Sequence, residues 1–386
     1  MIIQSSHPLS PKVEITLDGV AVNYNSIVGF DMDLYENEHD MLIIEITGIP
    51  PKAATDYIGK AVYALLDSGY GRSQTFYGYV ISTEPSSVTR KGLVNKSLMQ
   101  STKLNCIGAS LPMKEISSRV WESPTLGNIV KEIAKKYHFS LDYPKDSFKP
   151  TRLVQALESD WAFLRRVVMS FGYAMSVHGT HIHIWDISKS VGRLPSYHQL
   201  LTMSNNTENS PCTVLTFDAY LGHLSSAGNS SKSVNTVLDN QGNIFSIDAT
   251  QTDLASSKTI NESKFSMPLK RSYQTLEENK RAVMASEQYK SIYHATAEVA
   301  AGAGIVPGGT VDLKGYESNF DGLWYVSGVC HKMAKEKYTT VLSLKKSDDY
   351  VKDPTIPLVT SFVKPAVPSF LNTQWVSSME NINEYA

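Results

Sequence analysis

Hydrophobic and polar residues alternate through much of residues 12–107, a period typical of strands with one buried face. In KVEITLDGVAV, the apolar side chains of the first strand alternate with polar ones, and Asp18 and Gly19 supply a tight turn. A second hairpin is predicted in FDMDLYENEHDMLIIEIT, which has a polar turn at residues 36–40. Three more strands are predicted from Gly59 onward. The segment therefore has about seven antiparallel strands, enough for a small barrel or sandwich.

A helical period replaces this alternation after residue 111. In SPTLGNIVKEIAKKYHF, Ser123 is the predicted N-cap and Pro124 the first helical residue. Apolar residues at helical spacing predict one buried stripe. Its members are Leu126, Ile129, Val130, Ile133 and Tyr137.

A second helix and a hairpin follow. In ESDWAFLRRVVMSFGY, Ser159 is the predicted cap and Gly172 the terminating residue. The segment YAMSVHGTHIHIWD predicts a hairpin that turns at His178 and Gly179. Two helices and a hairpin indicate a compact α+β domain between the β-rich segments. The buried stripe of the second helix comprises Trp161, Leu164, Val167, Val168 and Phe171.

Residues 307–345 repeat the chemistry of residues 59–107. The first copy runs GKAVYALL, FYGYVIS and KSLMQSTKLNCI, and the second runs GGTVDLKG, LWYVSGV and KYTTVLSL. In each copy a glycine precedes the first strand, an aromatic pair opens the second, and the third alternates. The aromatic pairs are Phe76 with Tyr77 and Trp324 with Tyr325. The chain therefore contains two related β modules.

The predicted fold class is α+β, mainly β, with two related antiparallel β-barrel domains, a small α+β domain between them and an inserted segment that contains a helix. The opening strands of the second module are placed near residues 212–220, before the insertion. The predicted domains are residues 1–110 (first barrel), 111–200 (α+β), 201–228 with 292–347 (second barrel), 229–291 (insertion, with a helix at 276–291) and 348–386 (extended C-terminal arm). Proline and aromatic residues spaced along the arm favour its packing on a partner.

Composition narrows the function classes. The 386 residues carry a net charge of -2 and a pI near 6.6, which gives no electrostatic basis for stable nucleic-acid binding. The sequence has no apolar run of membrane-spanning length, so no membrane insertion is expected. The cysteines Cys106, Cys212 and Cys330 are too few and too scattered for a disulfide framework or a zinc site, and are expected to be buried thiols.

No chemical site is predicted. His181 and His183 face the same side of a strand, but no acidic residue or cysteine accompanies them at ligand spacing. The glycine-rich run at residues 302–309 lacks a following Lys-Ser or Lys-Thr and is interpreted as a strand turn. Asp160 lies in the first turn of its helix, where it would favour the dipole, and Arg165 is expected to point outward or pair across an interface. Catalytic, cofactor-binding and metal-ligating residues are therefore all predicted to be absent.

The segment ESDWAFLRRVVMSFGY resembles the signature of the phage late control protein D and baseplate hub family, which includes the hub part of type VI secretion spike proteins. A second mark is similar: a Pro-Gly before a strand, an Asp-Gly before an aromatic strand, and a closing Tyr-Thr-Thr strand. The residues that carry the resemblance are Ser159, Asp160, Trp161, Phe163, Leu164, Arg165, Gly172, Tyr173, Pro307, Gly308, Gly322, Trp324 and Tyr338.

The resemblance implies a non-enzymatic structural protein. Two tail-tube-like barrels per chain and three chains per ring would give six similar modules, which adapt a six-fold tail tube to a three-fold spike or tip. The implied partners are two further copies, a tail tube protein, a spike or tail-tip protein and other baseplate proteins. The implied location is the tail or baseplate of a virion or contractile injection system, assembled in the host bacterial cytoplasm. A tail-associated peptidoglycan hydrolase and a carbohydrate-binding tail tip remain as alternatives.

Overall fold

The structure, a computed structural model, describes most of the chain in several ranges. These are residues 11–49, 55–67, 73–88, 99–146, 148–150, 152–187, 199–201, 213–221, 234–238, 244–248, 272–273, 293–300, 302–316, 320–334 and 337–346. Strands dominate these ranges, and two α-helices occur in them.

The helices are α1 (Leu126–Tyr137) and α2 (Asp160–Ser170). The strands are β1 (Lys12–Leu17), β2 (Val20–Ala21), β3 (Ile27–Tyr35), β4 (Met41–Thr47), β5 (Ala61–Asp67), β6 (Ser73–Val88), β7 (Met99–Gly108), β8 (Ile116–Glu122), β9 (Ser140–Asp142), β10 (Arg152–Ser159), β11 (Tyr173–His178), β12 (His181–Asp186), β13 (Gln199–Leu201), β14 (Val214–Leu221), β15 (Val234–Leu238), β16 (Ile244–Asp248), β17 (Ser272–Tyr273), β18 (Tyr293–Ala300), β19 (Thr310–Lys314), β20 (Gly322–Ala334) and β21 (Lys337–Lys346).

Both β modules lie in one curled sheet. The first module runs β3-β4-β7-β6-β5-β1-β2, and the second runs β14-β18-β21-β20-β19, with β13 added in parallel to β19. Antiparallel pairing of β20 with β3 joins them over seven residue pairs, from Gly328 opposite Tyr35 to Ala334 opposite Gly29. The alternating buried side chains of both modules form one continuous hydrophobic core. A single chain thus forms a mainly antiparallel half-barrel sheet, and the closure of each module into a barrel stays a prediction.

The predicted turns of the first module are confirmed. Asp18 and Gly19 adopt φ values of 49° and 81°, the left-handed pair that a two-residue hairpin turn requires. Residues 36–40 connect β3 to β4 as the polar pattern predicts. All seven strands expected in this segment are present and pair in antiparallel fashion.

The two modules share the same hydrogen-bonding frame. Gly59 donates its amide to the Val80 carbonyl over 2.8 Å, and Gly308 donates to the Val326 carbonyl over 2.9 Å. Both glycines have a positive φ, 82° and 85°. The glycine before the first strand therefore makes the same backbone hydrogen bond to the second strand in both copies.

The predicted alignment of the aromatic pairs is wrong by two residues. Because Val80 corresponds to Val326, Tyr79 and not Tyr77 is the counterpart of Tyr325. Side chains in a strand repeat every two residues, so a shift of two leaves every side chain on the same face and is invisible in the alternation.

Irregularities of the ladder recur at matching positions and extend the repeat to five strands. The β6 strand has a register shift between Val80 and Ser82, and β20 has one between Val326 and Gly328. Similarly, the pairing of β3 with β4 shifts in register just before Gly29, and the pairing of β14 with β18 shifts just before Thr216. Strand β14 thus corresponds to β3 and lies where the opening strand of the second module is predicted.

The small domain packs α1 and α2 against the β11-β12-β9 sheet, with β8 and β10 paired beside them. The predicted cap of α1 is wrong. Thr125 is the N-cap, and its hydroxyl accepts the Asn128 amide at 3.1 Å. Ser123 has a φ of 42°, whereas an N-cap residue requires extended backbone geometry. The buried stripe of α1 is otherwise as predicted, with Tyr137 half-buried at its edge.

The second helix follows its predicted pattern. The Ser159 hydroxyl accepts the Ala162 amide at 3.1 Å and caps α2. Gly172, with a φ of 83°, follows the helix end. The β11–β12 hairpin turns at Gly179 and Thr180, one residue later than predicted, because His178 still pairs with His181.

Within the insertion, the structure describes β15, β16 and β17, which form a small sheet of their own. The helix predicted at residues 276–291, the arm at 348–386 and Cys212 lie outside the described residues. Neither α1 nor α2 has the length and apolar character that a membrane-spanning helix needs.

We expect Gly328→Ala to weaken the junction between the modules. A Cβ at this position would lie 2.1 Å from Cδ1 of Tyr35, so the ring must move out of its place beside β20. The expected loss in the free energy of unfolding is about 2 kcal/mol, measured by urea denaturation. Gly29→Ala, on the same strand pair, meets Glu45 Cβ at an ordinary 3.6 Å and should change stability little.

A double-mutant cycle separates the clash from a general effect of the methyl group. In a Tyr35→Ala background, Gly328→Ala should cost at least about 1 kcal/mol less than in the wild type. Equal costs in both backgrounds would contradict the proposed contact.

Candidate assembly interface

The family-motif residues fall into two groups and not into one cleft. Those from Ser159 to Tyr173 form α2 and the start of β11, where Trp161, Phe163 and Leu164 are buried in the core of the small domain. Those from Pro307 to Tyr338 belong to the second module. The family-motif residues thus belong to the core of the small domain, to the second module and to the contact between these two units.

Asp160 is the polar centre of the first group. Its Oδ2 accepts hydrogen bonds from Lys136 Nζ at 2.7 Å and from the Tyr137 hydroxyl at 2.6 Å. Its Oδ1 accepts hydrogen bonds from Gln155 Nε2 at 2.7 Å and from the Ser117 hydroxyl at 3.0 Å. Burial acts to raise the pKa of Asp160, but these four bonds outweigh it and hold that pKa below its ordinary value. The carboxylate ties α1, β8 and β10 together, whereas the sequence predicted only an interaction with the helix dipole.

The second group forms the contact between the small domain and the second module. Gly308 lies against the Trp185 ring, and a Cβ there would lie 2.6 Å from Cε2 of the indole. Trp185 Nε1 donates to the Tyr325 hydroxyl over 2.9 Å, and that hydroxyl donates to Glu36. Lys345 Nζ lies 2.7 Å from Oε1 of Glu36. One largely buried chain of hydrogen bonds therefore links both modules and the small domain.

The turn between β3 and β4 also holds the edge of β11. Asn37 donates its amide to the Met175 carbonyl at 2.7 Å and accepts the Met175 amide on its side chain at 3.1 Å. Farther along, His178 Nδ1 lies 2.8 Å from Asp40 Oδ2. Burial raises the pKa of Asp40. Burial alone would lower the pKa of His178, but the neighbouring Asp40 carboxylate raises it above its ordinary value.

Other buried titratable groups support packing. His331 is fully buried, with Nδ1 3.0 Å from the Tyr338 hydroxyl, and burial lowers its pKa to about 3. His39 stacks on Trp161 at a ring distance of 3.9 Å, and burial lowers its pKa to about 3. Cys106 is a free buried thiol whose pKa burial raises to about 12. Burial therefore favours the uncharged form of each of these groups.

Several strand edges lack a partner among the described residues, and two of these edges belong to the repeated five-strand units. The outer half of β6, from Ser82 to Val88, pairs with β7 on one side alone. Strand β14 pairs with β18 on one side alone. Because an edge presents unpaired backbone donors and acceptors, both are candidate assembly surfaces.

The structure also brings an acidic residue to the histidine pair. Asp142, on β9, lies beside His181 and His183 on β12, although the sequence showed no companion ligand. Nothing in the sequence indicated that Asp142 lies near the histidines, because β9 has only three residues and pairs in parallel with a strand far along the chain.

A family model described as the Alg8 N-terminal domain matches residues 69–335, more than half of the chain. The chain belongs to this family. The late control protein D resemblance is a different assignment and stays a prediction. No curated protein sequence matches the chain.

Solved structures share the fold. A tail protein from Neisseria meningitidis has a TM-score of 0.59 at 15% identity, matching 88% of this chain and 97% of its own. A 43 kDa prophage tail protein from Shewanella oneidensis has a TM-score of 0.59 at 12% identity, over 87% and 98% of the two chains. An E. coli protein described as a component of the type VI secretion system has a TM-score of 0.52 at 11% identity, over 93% and 78%. The fold is therefore one shared with phage tail proteins.

We expect Asp160→Asn to destabilise the small domain. The amide cannot accept from all four donors, so the free energy of unfolding at pH 7 should fall by about 3 kcal/mol in urea denaturation. Asp56→Asn, at an exposed position, should be nearly neutral and is the control.

The pH dependence gives an independent readout. Since the folded pKa of Asp160 is depressed, its stabilisation is present above the unfolded-state pKa of about 4 and is lost as pH falls through the folded value. The difference in stability between wild type and Asp160→Asn should therefore shrink toward pH 2. A difference that stays constant with pH would contradict this assignment.

Proposed function

We propose that this protein is the structural hub of a phage tail or contractile injection baseplate. Three copies form a ring that adapts a six-fold tail tube to a three-fold spike or tip. The observation that carries the proposal is the duplicated module. Each chain holds two five-strand units of the same topology. In one unit the outer half of β6 is unpaired on one side, and in the other unit β14 is. The shared tail-protein fold supports the same class of function.

The pairing between the two modules of one chain, here called the joint, suggests how neighbouring chains pair. Within one chain, β3 of the first module pairs with the outer half of β20 in the second. Strand β14 is the counterpart of β3, and the outer half of β6 is the counterpart of that part of β20. The two unpaired edges thus correspond to the two strands that pair within the chain. We therefore expect β14 of one copy to pair with the outer half of β6 of the next copy.

The register of that pairing follows from the matched bulges. Ser82 follows the β6 bulge as Gly328 follows the β20 bulge, and Thr216 corresponds to Gly29. Lys332 opposes Asp31 within the chain, so Ser86 of one copy should oppose Asp218 of the next.

The inner face of the joint indicates what the contact would bury. Within the chain, His331 opposes Met32, and both are fully buried. The corresponding residues are Pro85, which is exposed, and Ala219, which is half-buried. Proline is tolerated in a strand that has an unpaired side, and it leaves a carbonyl but no amide for the new ladder.

The ring would use its upper rim for the tail tube and its lower rim for a spike or tail-tip protein, with other baseplate proteins around it. Its location would be the virion tail or baseplate, after assembly in the host bacterial cytoplasm. No catalytic role is proposed, because the buried titratable groups described above serve packing and hydrogen bonding. Cleavage of purified peptidoglycan by the isolated protein would contradict this part of the proposal.

The joint can be tested by cysteine crosslinking. Ser86→Cys combined with Asp218→Cys should give, under mild oxidation, a product of three times the 42.7 kDa chain mass on a non-reducing gel. Opposed residues of an antiparallel pair lie within disulfide range. The matched control, Ser87→Cys with Asp218→Cys, places the thiols on opposite faces and should crosslink at least tenfold less.

The mass of the uncrosslinked wild type completes the test. Light scattering should show a three-chain species at micromolar concentration. A monomer at all concentrations, equal crosslinking in both double variants, or a ladder that continues beyond three chains would each overturn the proposed ring.

A further inference from the structure

A short parallel strand pair presents two histidines and an aspartate on one face. Strand β9 pairs with β12 so that Ser140 opposes His181 and Asp142 opposes His183. Side chains alternate between the faces of a sheet, so these four residues share one face. Leu141 and its neighbours on the other face pack into the core of the small domain.

The separations fit a single ion. His181 Nε2 lies 3.2 Å from Asp142 Oδ2, and His183 Nδ1 lies 3.8 Å from the same oxygen. The three candidate ligand atoms all lie within 4.8 Å of one another. Metal–ligand bonds of about 2.1 Å at tetrahedral angles would place ligand atoms about 3.4 Å apart, so small side-chain rotations are sufficient.

Neighbouring residues orient the two imidazoles. The Ser140 hydroxyl lies 2.9 Å from His181 Nδ1, and a proton held on that nitrogen leaves Nε2 as the lone-pair atom beside Asp142. The His183 ring stacks on Trp185 with the ring centres 5.1 Å apart. Such supporting contacts reduce the conformational entropy that the side chains lose on binding.

We propose that Asp142, His181 and His183 form a binding site for a divalent transition-metal ion of the zinc class. Two imidazoles and one carboxylate are the donor set that such ions accept, whereas Mg²⁺ and Ca²⁺ prefer oxygen alone. The side chains are between 39% and 70% exposed, so the remaining coordination positions are open to water.

The ion would act as a clamp. Strand β9 is held to β12 by three residue pairs, and a bound ion adds a tie between these two strands at the surface of the sheet. Without an ion, the contacts of Asp142 with the two imidazoles are solvent-exposed and contribute little to stability. The site lies in the small domain and does not depend on the proposed ring.

The test uses the full chain after chelator treatment. Zn²⁺ titrated by calorimetry at pH 7.5 should bind with one ion per chain and a Kd of about 10 µM or below, and Co²⁺ should give visible absorption of a low-coordinate site. His181→Gln, His183→Gln and Asp142→Asn should each weaken this binding at least tenfold. Ser140→Ala should weaken it by about tenfold, because it removes the orienting hydroxyl.

His138→Asn is the matched control. His138 is exposed and caps α1 in the left-handed conformation, which asparagine tolerates, so its replacement removes one imidazole without touching the site. This variant should bind Zn²⁺ as the wild type does. Circular dichroism checks that each variant is folded.

Two results would overturn the proposal. One is a wild-type Kd above about 100 µM. The other is equal affinity in the wild type and the Asp142→Asn, His183→Gln double variant, which would assign the binding to histidines elsewhere in the chain.

Discussion

The antiparallel pairing of β3 with β20 joins the two modules into one sheet, and the contacts of this sheet with the small domain lie near one end of that pairing. Its seven residue pairs include Met32, Leu34 and Val329, which are fully buried. At the end of β3, Glu36 receives hydrogen bonds from Tyr325 and Lys345, and Tyr325 in turn contacts Trp185 of the small domain. Because these polar groups are largely buried, loss of one partner would leave the others with unmade hydrogen bonds. The junction is therefore specified by both backbone pairing and buried polar bonds.

The sequence predicted elements well where the physical signal is local. Alternation, the Asp18-Gly19 turn and the Ser159 cap each depend on neighbouring residues, and each is confirmed. Two local details were nevertheless wrong, the N-cap at Ser123 and the turn at His178. Other predictions failed because the geometry depends on distant contacts. The alignment of Tyr77 with Tyr325 was wrong because a shift of two residues preserves the face. Asp160 was assigned to a helix dipole because no local pattern reveals that Gln155 and the end of α1 converge on it.

One long-range signal was present but faint. Strands β3 and β14 share the dipeptide Phe-Asp at residues 30–31 and 217–218, each two residues beyond a bulge. Two identities have little weight in a chain of this length. The matched bulges show that the two dipeptides occupy equivalent positions, since a bulge fixes the register of the residues that follow it. The correspondence of edges that supports the proposed ring therefore required the structure.

The two modules differ most in what connects their first two strands. Residues 36–40 join β3 to β4 and contact the small domain through Asn37 and Asp40, whereas residues 222–292 join β14 to β18. In a ring of alternating modules, the short turn and the long insertion would occur at every second position around the rim. The backbone of the sheet would then keep a six-fold repeat, while the connections on that rim would have three-fold symmetry. Within the proposed ring, this difference in one connection would be a sufficient physical basis for meeting both a six-fold and a three-fold partner.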